Sequence, residues 1–171
     1  MTAATHLSLT RISSPIGEIL AVSRGSTLCA LEFADCAEKM MRGIAARFGD
    51  AVLAERDPAR LGRVFRAYFA GDLAALDGVA VDGGGTSFQR REWRALRRIP
   101  AGKTVTYAML AARLGIPKSI RAVARANALN PISIVVPCHR VIGADGSLRG
   151  YSGGLERKRW LLQHEGAIPR L

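Results

Sequence analysis

Three consecutive side chains late in this sequence of 171 residues bring together a thiol, an imidazole and a guanidinium, on Cys138, His139 and Arg140. Cysteine attacks as the thiolate, and a neighbouring imidazole or cation lowers the pKa of the thiol, so Cys138 is a candidate nucleophile. The alternative is a buried structural cysteine, the commoner role of a lone Cys. Pro137 restricts the backbone before the thiol, and the glycines of residues 143–154 can bring backbone close to a ligand. This context favours a reactive Cys138.

The surroundings of the thiol follow from apolar patterning and cysteine usage. The apolar run Ile132–Val136 predicts a short buried strand, so Cys138 is expected where a strand leaves the core. The other cysteines, Cys29 and Cys36, are far apart and form with His6 no pattern of metal-ligand spacing, so no metal is expected. An odd number of separated cysteines favours a reducing compartment, and the cytoplasm is the expected location.

The positive charge is confined to the second half of the chain. Residues 1–85 carry 9 Lys and Arg against 10 Asp and Glu, whereas residues 86–171 carry 16 against 4. Such a one-sided excess is typical of a protein that binds a polyanion, most often nucleic acid. The alternative is a solvated basic surface in an arginine-rich protein, but it leaves the asymmetry unexplained. No apolar run is long enough to span a membrane, so no membrane partner is expected.

The first half is predicted to be a small α/β domain. Short β-prone runs separated by turn residues predict an antiparallel three-stranded meander. These runs are Leu7–Ser13, Glu18–Ser23 and Thr27–Phe33. Helices are predicted from Ala37 to Phe48 and from Asp57-Pro58 to about Phe69. Asp82-Gly83-Gly84-Gly85 predicts a flexible linker, which divides the chain into domains 1–85 and 86–171.

The second half is predicted to be mostly helical. Thr86-Ser87-Phe88-Gln89 has the form of a capping box, Thr106 can cap a second helix, and Pro117 opens a third. The predicted helices run from about Phe88 to Arg98, Tyr107 to Leu114, Lys118 to Leu129 and Leu155 to Glu165. The middle pair suggests a helix-turn-helix. The expected fold class is α+β, with a winged helix-turn-helix-like C-terminal domain that carries the active site.

One face of the third of these helices is cationic. Helical periodicity places Ile120, Val123, Ala124 and Asn127 inward. The same periodicity places Lys118, Arg121 and Arg125 outward, beside Ala122 and Ala128. A cationic ridge flanked by small side chains suits close approach to a nucleic-acid groove. An ordinary basic solvent face would usually include acids, and this one has none.

Two carboxylates fall on apolar helix faces and need partners. Glu92 lies in the middle of the apolar face of its helix, and an unpaired buried carboxylate is costly. We therefore predict that Glu92 pairs with an arginine or lies near the edge of that face. Glu165 lies in a last helical turn, where the macrodipole disfavours negative charge, which predicts a specific partner elsewhere. A frayed, solvated helix end is the alternative for Glu165.

Taken together, the motifs of residues 86–170 resemble those of the O6-alkylguanine-DNA alkyltransferases, and the match around Cys138 is the most specific. The matching motifs are Phe88-Gln89, Ile99-Pro100-Ala101-Gly102, Thr106-Tyr107, Arg121-Ala122-Val123, Asn130-Pro131, Pro137-Cys138-His139-Arg140-Val141-Ile142-Gly143, Gly150-Tyr151, Gly153-Gly154-Leu155 and Leu161-Leu162. The first half resembles the family only through Ser14-Pro15-Ile16-Gly17 and the three-strand pattern.

The resemblance implies a role for each catalytic residue. Cys138 would accept the alkyl group, His139 would remove its proton through a water molecule, and Glu165 would orient the imidazole. Asn130 would brace the turn that holds the site, and Tyr107 would bind the flipped guanine and assist its departure. The remaining substrate-binding residues would be Val141, Tyr151 and Ser152, the last through its backbone.

The resemblance also implies how DNA is held. Arg121 would fill the gap that the flipped base leaves, from a recognition helix in the minor groove. Independently of the resemblance, the cationic ridge predicts that Arg125, Lys118, Ala122 and Ala128 contact the DNA around it. The partner would be double-stranded DNA containing O6-alkylguanine. The protein would be a monomer, would need no cofactor, and each molecule would act once. Repair of O4-alkylthymine and side-by-side binding on DNA are left open.

Three residues depart from the family pattern, and two other functions compete with alkyl transfer. Glu92 replaces an apolar residue, Arg125 a small one, and Thr106 the common Ser. A DNA-binding regulator or alkyl-lesion-binding protein would use the helix-turn-helix and keep Cys138 as a structural or sensing thiol. A cysteine hydrolase would need a separate histidine, because adjacent Cys and His side chains do not generally pair directly.

Overall fold

The computed structural model describes residues 4–56 and 59–170 of the chain, which separate into two compact units. The first unit contains residues up to Gly84 together with Pro131–Ser133, and the second contains Gly85–Asn130 and the residues from Ile134 onward. No helix among the described residues is long and apolar enough to cross a membrane.

The first unit is built on a four-stranded sheet. Its strands are β1 (His6–Ile12), β2 (Ile19–Arg24), β3 (Thr27–Phe33) and β4 (Val52–Glu55), in the order β3-β2-β1-β4. The three-stranded antiparallel meander is confirmed. A fourth strand, β4, pairs in parallel with β1 and was missed, because its four residues are mostly exposed and show no alternation of apolar and polar side chains.

Helices cover the sheet of the first unit. Helix α1 (Ala37–Phe48) has the predicted bounds and packs Met40 and Ile44 onto an apolar sheet face that includes Leu7, Leu20 and Val22. Helix α2 spans Ala59–Phe69. The predicted helix start at Asp57-Pro58 lies outside the described residues.

The segment predicted as a linker is tied to the first unit at Asp82. The Asp82 backbone N–H donates to Leu28 at 2.8 Å, and its carboxylate lies 2.6 Å from the Arg47 guanidinium. Burial opposes ionisation, but the Gly84 backbone N–H and Arg47 hold the pKa of Asp82 below its usual value. The first residue of the predicted linker, Asp82, is therefore anchored to the first unit.

The second unit is mainly helical. Its helices are α3 (Ser87–Leu96), α4 (Tyr107–Arg113), α5 (Ile120–Ala128) and α6 (Leu155–His164). Thr86 and Gln89 form the predicted capping box at the start of α3, and Thr106 caps α4 by accepting from the Met109 backbone N–H. Helices α4 and α5 pack together as the expected helix-turn-helix pair, and α5 also packs on α3.

Two short strands complete the second unit, and the buried face of α5 differs in part from the predicted one. Strands β5 (Val105–Thr106) and β6 (Val141–Ile142) pair in parallel. On α5, Val123 and Asn127 are buried as predicted, but Ile120 is 41% exposed because it lies in the first turn, and Ala126 is buried instead. On α6, Leu161 and Leu162 are fully buried, and Leu155 in the first turn is 47% exposed.

The predicted strand Ile132–Val136 is wrong. Ile132 forms only an isolated bridge with Leu31, and the next residues turn. Ile134 has φ 68°, a left-handed conformation that is rare for a β-branched side chain, so the run cannot continue as a strand. The apolar side chains are buried, as their composition indicates, but in a turn that leads directly to the thiol.

Candidate active site

Cys138 begins a single turn of 3-10 helix, Cys138–Arg140, in which all three side chains are buried. The turn is fastened before the thiol: the Cys138 backbone N–H donates to Val136 at 2.8 Å, and the Asn130 side-chain amide donates to the same carbonyl at 2.8 Å. Asn130 therefore has the position expected of a brace for this turn. The strained Ile134 lies in the same short segment.

His139, Arg140 and Glu165 form one buried hydrogen-bonded cluster. His139 Nε2 lies 2.9 Å from Glu165 Oε1, and Arg140 donates from Nε to Oε2 and from a terminal nitrogen to Oε1, each at 2.9 Å. Arg140 also donates to the backbone carbonyl of Ile99. The predicted partner of Glu165 is thus a cation together with the imidazole, and the solvated-end alternative is wrong, since Glu165 is 4% exposed.

The charges within this cluster determine which nitrogen of His139 carries the proton. Burial disfavours the charged form of Glu165, but His139 and Arg140 outweigh it and hold the pKa of Glu165 far below its usual range. Burial also lowers the pKa of His139, so the ring is neutral at physiological pH. A neutral ring beside an ionised carboxylate donates through Nε2 and keeps its lone pair on Nδ1.

Nδ1 of His139 is the free end of this arrangement. It is buried and has no hydrogen-bond partner within residues 4–56 and 59–170. His139 directly follows Cys138, so a proton acceptor without a competing bond lies next to the thiol in the chain. A buried acceptor that nothing occupies is the arrangement that a general base requires before reaction.

The turn Ile99-Pro100-Ala101-Gly102 backs the carboxylate end of the cluster. Gly102 has φ 80°, and a side chain at this position would place its Cβ 3.0 Å from the backbone oxygen of Glu165. Ile99 is buried and its carbonyl accepts from Arg140. The motif therefore holds the end of α6 close to the turn that carries the thiol.

Lys158 on α6 is a buried cation of the site that sequence analysis missed. It is 0% exposed, and its Nζ donates to the backbone carbonyls of Val141 and Arg149, both at 2.7 Å. Burial lowers the pKa of Lys158 to about 8, and its interaction with Cys138 opposes this shift. The signal was available, because Lys158 falls beside the buried Leu161 and Leu162 on the helix wheel.

Tyr107 is the first residue of helix α4 and lies within electrostatic range of the thiol. Burial, the largest effect, and the interaction with Cys138 raise the pKa of the Tyr107 phenol, while a hydrogen bond with the Asn127 side chain opposes the rise. Tyr107 therefore stays protonated at neutral pH and can donate. Of the other predicted substrate-binding residues, the Tyr151 ring lies 6.4 Å from the His139 ring, edge-on, Ser152 is exposed, and the Val141 carbonyl accepts from Lys158.

The cationic ridge of α5 is exposed as predicted. Its exposed members on the helix are Arg121, Ala122, Arg125 and Ala128, and Lys118 is exposed in the turn before the helix begins at Ile120. No acidic side chain of the described residues forms a salt bridge with Arg121 or Arg125. The ridge therefore presents uncompensated positive charge to solvent.

The prediction that Glu92 pairs with an arginine or lies near the edge of its helix face is wrong. Glu92 is 0% exposed on α3, and neither carboxyl oxygen has a hydrogen-bond partner among the described residues. Burial raises the pKa of Glu92 to about 8, so the side chain stays protonated at neutral pH. Neutralisation by a proton thus replaces neutralisation by an arginine, because desolvation penalises only the charged form.

The other thiols lack these surroundings. Burial raises the pKa of Cys29, and Cys36 lies in the short 3-10 helix before α1. None of the three cysteines forms a disulfide. No group of three or more His, Cys, Asp or Glu side chains in the described part of the chain is placed to hold a metal ion.

Comparison with known proteins places the site in a family. Residues 87–167 match the domain described as 6-O-methylguanine DNA methyltransferase, DNA binding domain. The chain is 42% identical over 162 residues to the methylated-DNA--protein-cysteine methyltransferase of Shigella flexneri and 44% identical to that of Salmonella typhimurium. Each of these alignments covers 92% of this chain and 95% of the relative.

Solved structures agree with these relatives. The crystal structure of Mycobacterium tuberculosis OGT in complex with DNA matches with a TM-score of 0.79 at 38% identity, over 95% of this chain and 93% of that chain. The O6-methylguanine-DNA methyltransferase of Pyrococcus kodakaraensis matches with a TM-score of 0.68 at 26% identity, over 94% and 99% of the two chains. The chain belongs to the methylated-DNA--protein-cysteine methyltransferase family.

Proposed function

We propose that this protein repairs DNA by direct reversal, transferring an alkyl group from O6 of guanine in double-stranded DNA to the sulfur of its own Cys138. The observation that carries the proposal is the buried imidazole of His139, the residue after Cys138, which acts as the general base. Glu165 holds His139 in the tautomer that leaves the Nδ1 lone pair free. The names of the relatives and the DNA bound to the M. tuberculosis structure support the same reaction.

The reaction is a displacement at the alkyl carbon. The Cys138 sulfur forms a bond to that carbon while the bond from the carbon to guanine O6 breaks, and the electron pair of the broken bond stays with the base. The thiol proton passes to His139 Nδ1 through a water molecule, and the Tyr107 hydroxyl gives a proton to the departing guanine. His139 and Tyr107 then return to their starting states by exchange with solvent. The thioether has no step that reverses it, so each molecule acts once, without a cofactor.

The buried groups around the thiol prepare it for this step. Asn130 holds the turn before Cys138, and the Lys158 ammonium favours the thiolate by its charge. Val141, Tyr151 and the backbone at Ser152 form the pocket for the extruded base. Because Lys158 bonds the carbonyls of Val141 and Arg149, it also keeps the two sides of that pocket together.

DNA binding is assigned to α5. O6 of guanine is inaccessible to a protein thiol inside a stacked duplex, so the base must flip out of the duplex. Arg121 then enters from the minor groove and fills the space that the flipped base has vacated. Arg125 and Lys118 contact phosphates, while Ala122 and Ala128 allow close approach of the helix. We assign the domains to residues 1–85 and 86–171, apart from Pro131–Ser133, which belong to the first compact unit. The protein acts as a monomer in the cytoplasm, where its three thiols stay reduced.

Intact-protein mass spectrometry after incubation with duplex DNA tests the proposal. With O6-methylguanine in the duplex, each molecule should gain one methyl group on Cys138 and then stop, and with unmodified duplex it should gain none. Cys138→Ala should bind the methylated duplex and transfer nothing. A regulator would show no covalent change and a hydrolase would show turnover. Methylation of Cys29 or Cys36 in the Cys138→Ala variant would refute the assignment of the acceptor.

A further inference from the structure

Glu92 is a buried acid that the proposed reaction leaves without a task. It is fully buried on α3, both of its carboxyl oxygens lack a partner among the described residues, and it carries a proton at neutral pH. Buried polar groups in proteins almost always form hydrogen bonds, because burial removes their hydrogen bonds to water and an unreplaced bond costs free energy. The protonated acid offers one O–H donor, so the group that it serves must be an acceptor.

Asn127 on α5 supplies an acceptor of this kind. The residue is 5% exposed, and its Oδ1 also has no hydrogen-bond partner within the described chain. Its side chain is bonded to Tyr107, and this bond lowers the pKa of the phenol, so the amide donates it through Nδ2 to the Tyr107 oxygen. The amide is thereby oriented with Oδ1 as its only unused atom.

Helices α3 and α5 bring these two residues to the same interface. Trp93 Nε1, on the residue after Glu92, donates to the carbonyl of Ala126, the residue before Asn127, at 3.0 Å. An ionised Glu92 would raise the pKa of the Tyr107 phenol, so the acid lies within electrostatic range of the phenol. The unpartnered donor and the unpartnered acceptor therefore each lie on a residue adjacent to a hydrogen bond that joins α3 to α5.

We propose that Glu92 is a positioning residue for Tyr107: the neutral acid donates to Asn127 Oδ1, Asn127 Nδ2 donates to the Tyr107 oxygen, and the Tyr107 O–H is thereby directed at the departing guanine. The inference rests on the proposed function, because it concerns how Tyr107 assists alkyl transfer. The first bond of this chain forms by rotation of the Glu92 side chain. Every donor and acceptor in the chain is then used in the direction that its chemistry allows.

Ionisation of Glu92 removes the first hydrogen bond of this series, the one from Glu92 to Asn127. A carboxylate cannot donate to Asn127 Oδ1, and its charge lies close to Tyr107. The other groups that act on Tyr107 are Cys138 and Arg149, and Lys158 also loses its proton near pH 8. A loss of rate in alkaline solution therefore has two sources, and only a substitution at Glu92 separates them.

The test is the rate of single-turnover methyl transfer from O6-methylguanine duplex between about pH 6 and pH 10, at saturating DNA. Glu92→Gln keeps a donor that does not titrate, so it should transfer at nearly the wild-type rate at neutral pH and lose less rate in alkaline solution. Glu92→Val removes the donor and should be slower by about tenfold at neutral pH, the size of one lost hydrogen bond to the reacting group. Glu156→Gln and Glu156→Val, on the exposed face of α6, are the matched controls and should change neither quantity.

The substitution Tyr107→Phe removes the hydroxyl group that the hydrogen bonds from Glu92 and Asn127 are proposed to position. In that variant, Glu92→Val should cause no further loss, because the two residues act as one unit. The proposal is overturned if Glu92→Val transfers as fast as wild type, if Glu92→Gln keeps the wild-type alkaline loss, or if Glu92→Val slows the Tyr107→Phe variant as much as it slows wild type. Absence of transfer by the wild type would instead refute the proposed function.

Discussion

The Nε2 atom of His139 lies 2.9 Å from Oε1 of Glu165, and both side chains are fully buried. Arg140 shares the same carboxylate, so Glu165 neutralises a cation and orients an imidazole at once. The consequence is that the lone pair of His139 lies on Nδ1, the atom that has no other partner among the described residues.

Glu165→Gln should slow methyl transfer by about a hundredfold or more, because the amide can turn its NH2 group towards the imidazole and favour the wrong tautomer. The same change leaves the buried Arg140 without its counter-charge and should cost on the order of 3–5 kcal/mol of folding free energy. Single-turnover rates and urea unfolding measure the two effects. Glu156→Gln on the exposed face of α6 is the control, and an unchanged rate in Glu165→Gln would contradict the role.

Lys158→Gln should make the Cys138 thiol less reactive, because it removes a buried positive charge that interacts with the sulfur. We expect the rate of alkylation of Cys138 by iodoacetamide to rise at a higher pH than in wild type. Peptide mapping after pulse labelling over a pH series measures the shift, with Arg159→Gln as the exposed neighbouring control. An identical titration in Lys158→Gln and wild type would show that Lys158 has only a packing role.

Arg121→Ala and Arg125→Ala should affect different steps, although both residues lie on the exposed ridge of α5. Arg121→Ala should slow repair of base-paired duplex much more than reaction with free O6-methylguanine, because only the duplex requires flipping. Equal slowing of both substrates would mean that Arg121 supports the fold of the site.

Arg125→Ala should weaken binding to any duplex, and the slope of log K against log salt should fall by about 0.9, the value for one phosphate contact. The transfer rate at saturating DNA should stay unchanged. Filter binding or anisotropy over a salt series measures the slope. A slope equal to that of wild type would place Arg125 outside the contact with DNA.

Glu92→Val should flatten the pH dependence of stability. The pKa of Glu92 is raised from 4.5 to about 8 in the folded state, so the folded protein binds the extra proton between these values and loses stability as the pH rises through them. The loss is about 1.4 kcal/mol for each unit of pKa difference. Urea unfolding at about pH 5 and pH 8 should show the variant gaining on wild type as the pH rises, and Glu38→Gln is the exposed control. A constant difference between the two proteins would mean that Glu92 is not protonated in the fold.

The sequence by itself was enough to identify the chemical site and most elements. The thiol, the imidazole and the cation are consecutive, so no folding was needed to bring them together. The bounds of α1, the capping box at Thr86 and the cationic face of α5 follow from local preferences that act within a few residues. The net charge of each half can also be counted without a structure, and it indicated which half binds DNA.

Only the tertiary structure decided the interactions between distant residues. The burial of Lys158 against two carbonyls depends on packing between segments far apart in the chain. The same holds for the turn that replaces the predicted strand Ile132–Val136. Glu92 shows the limit most clearly. Its place on an apolar face was evident from periodicity, but a buried carboxyl group can be neutralised by an arginine or by a proton, and only the atoms around it determine which.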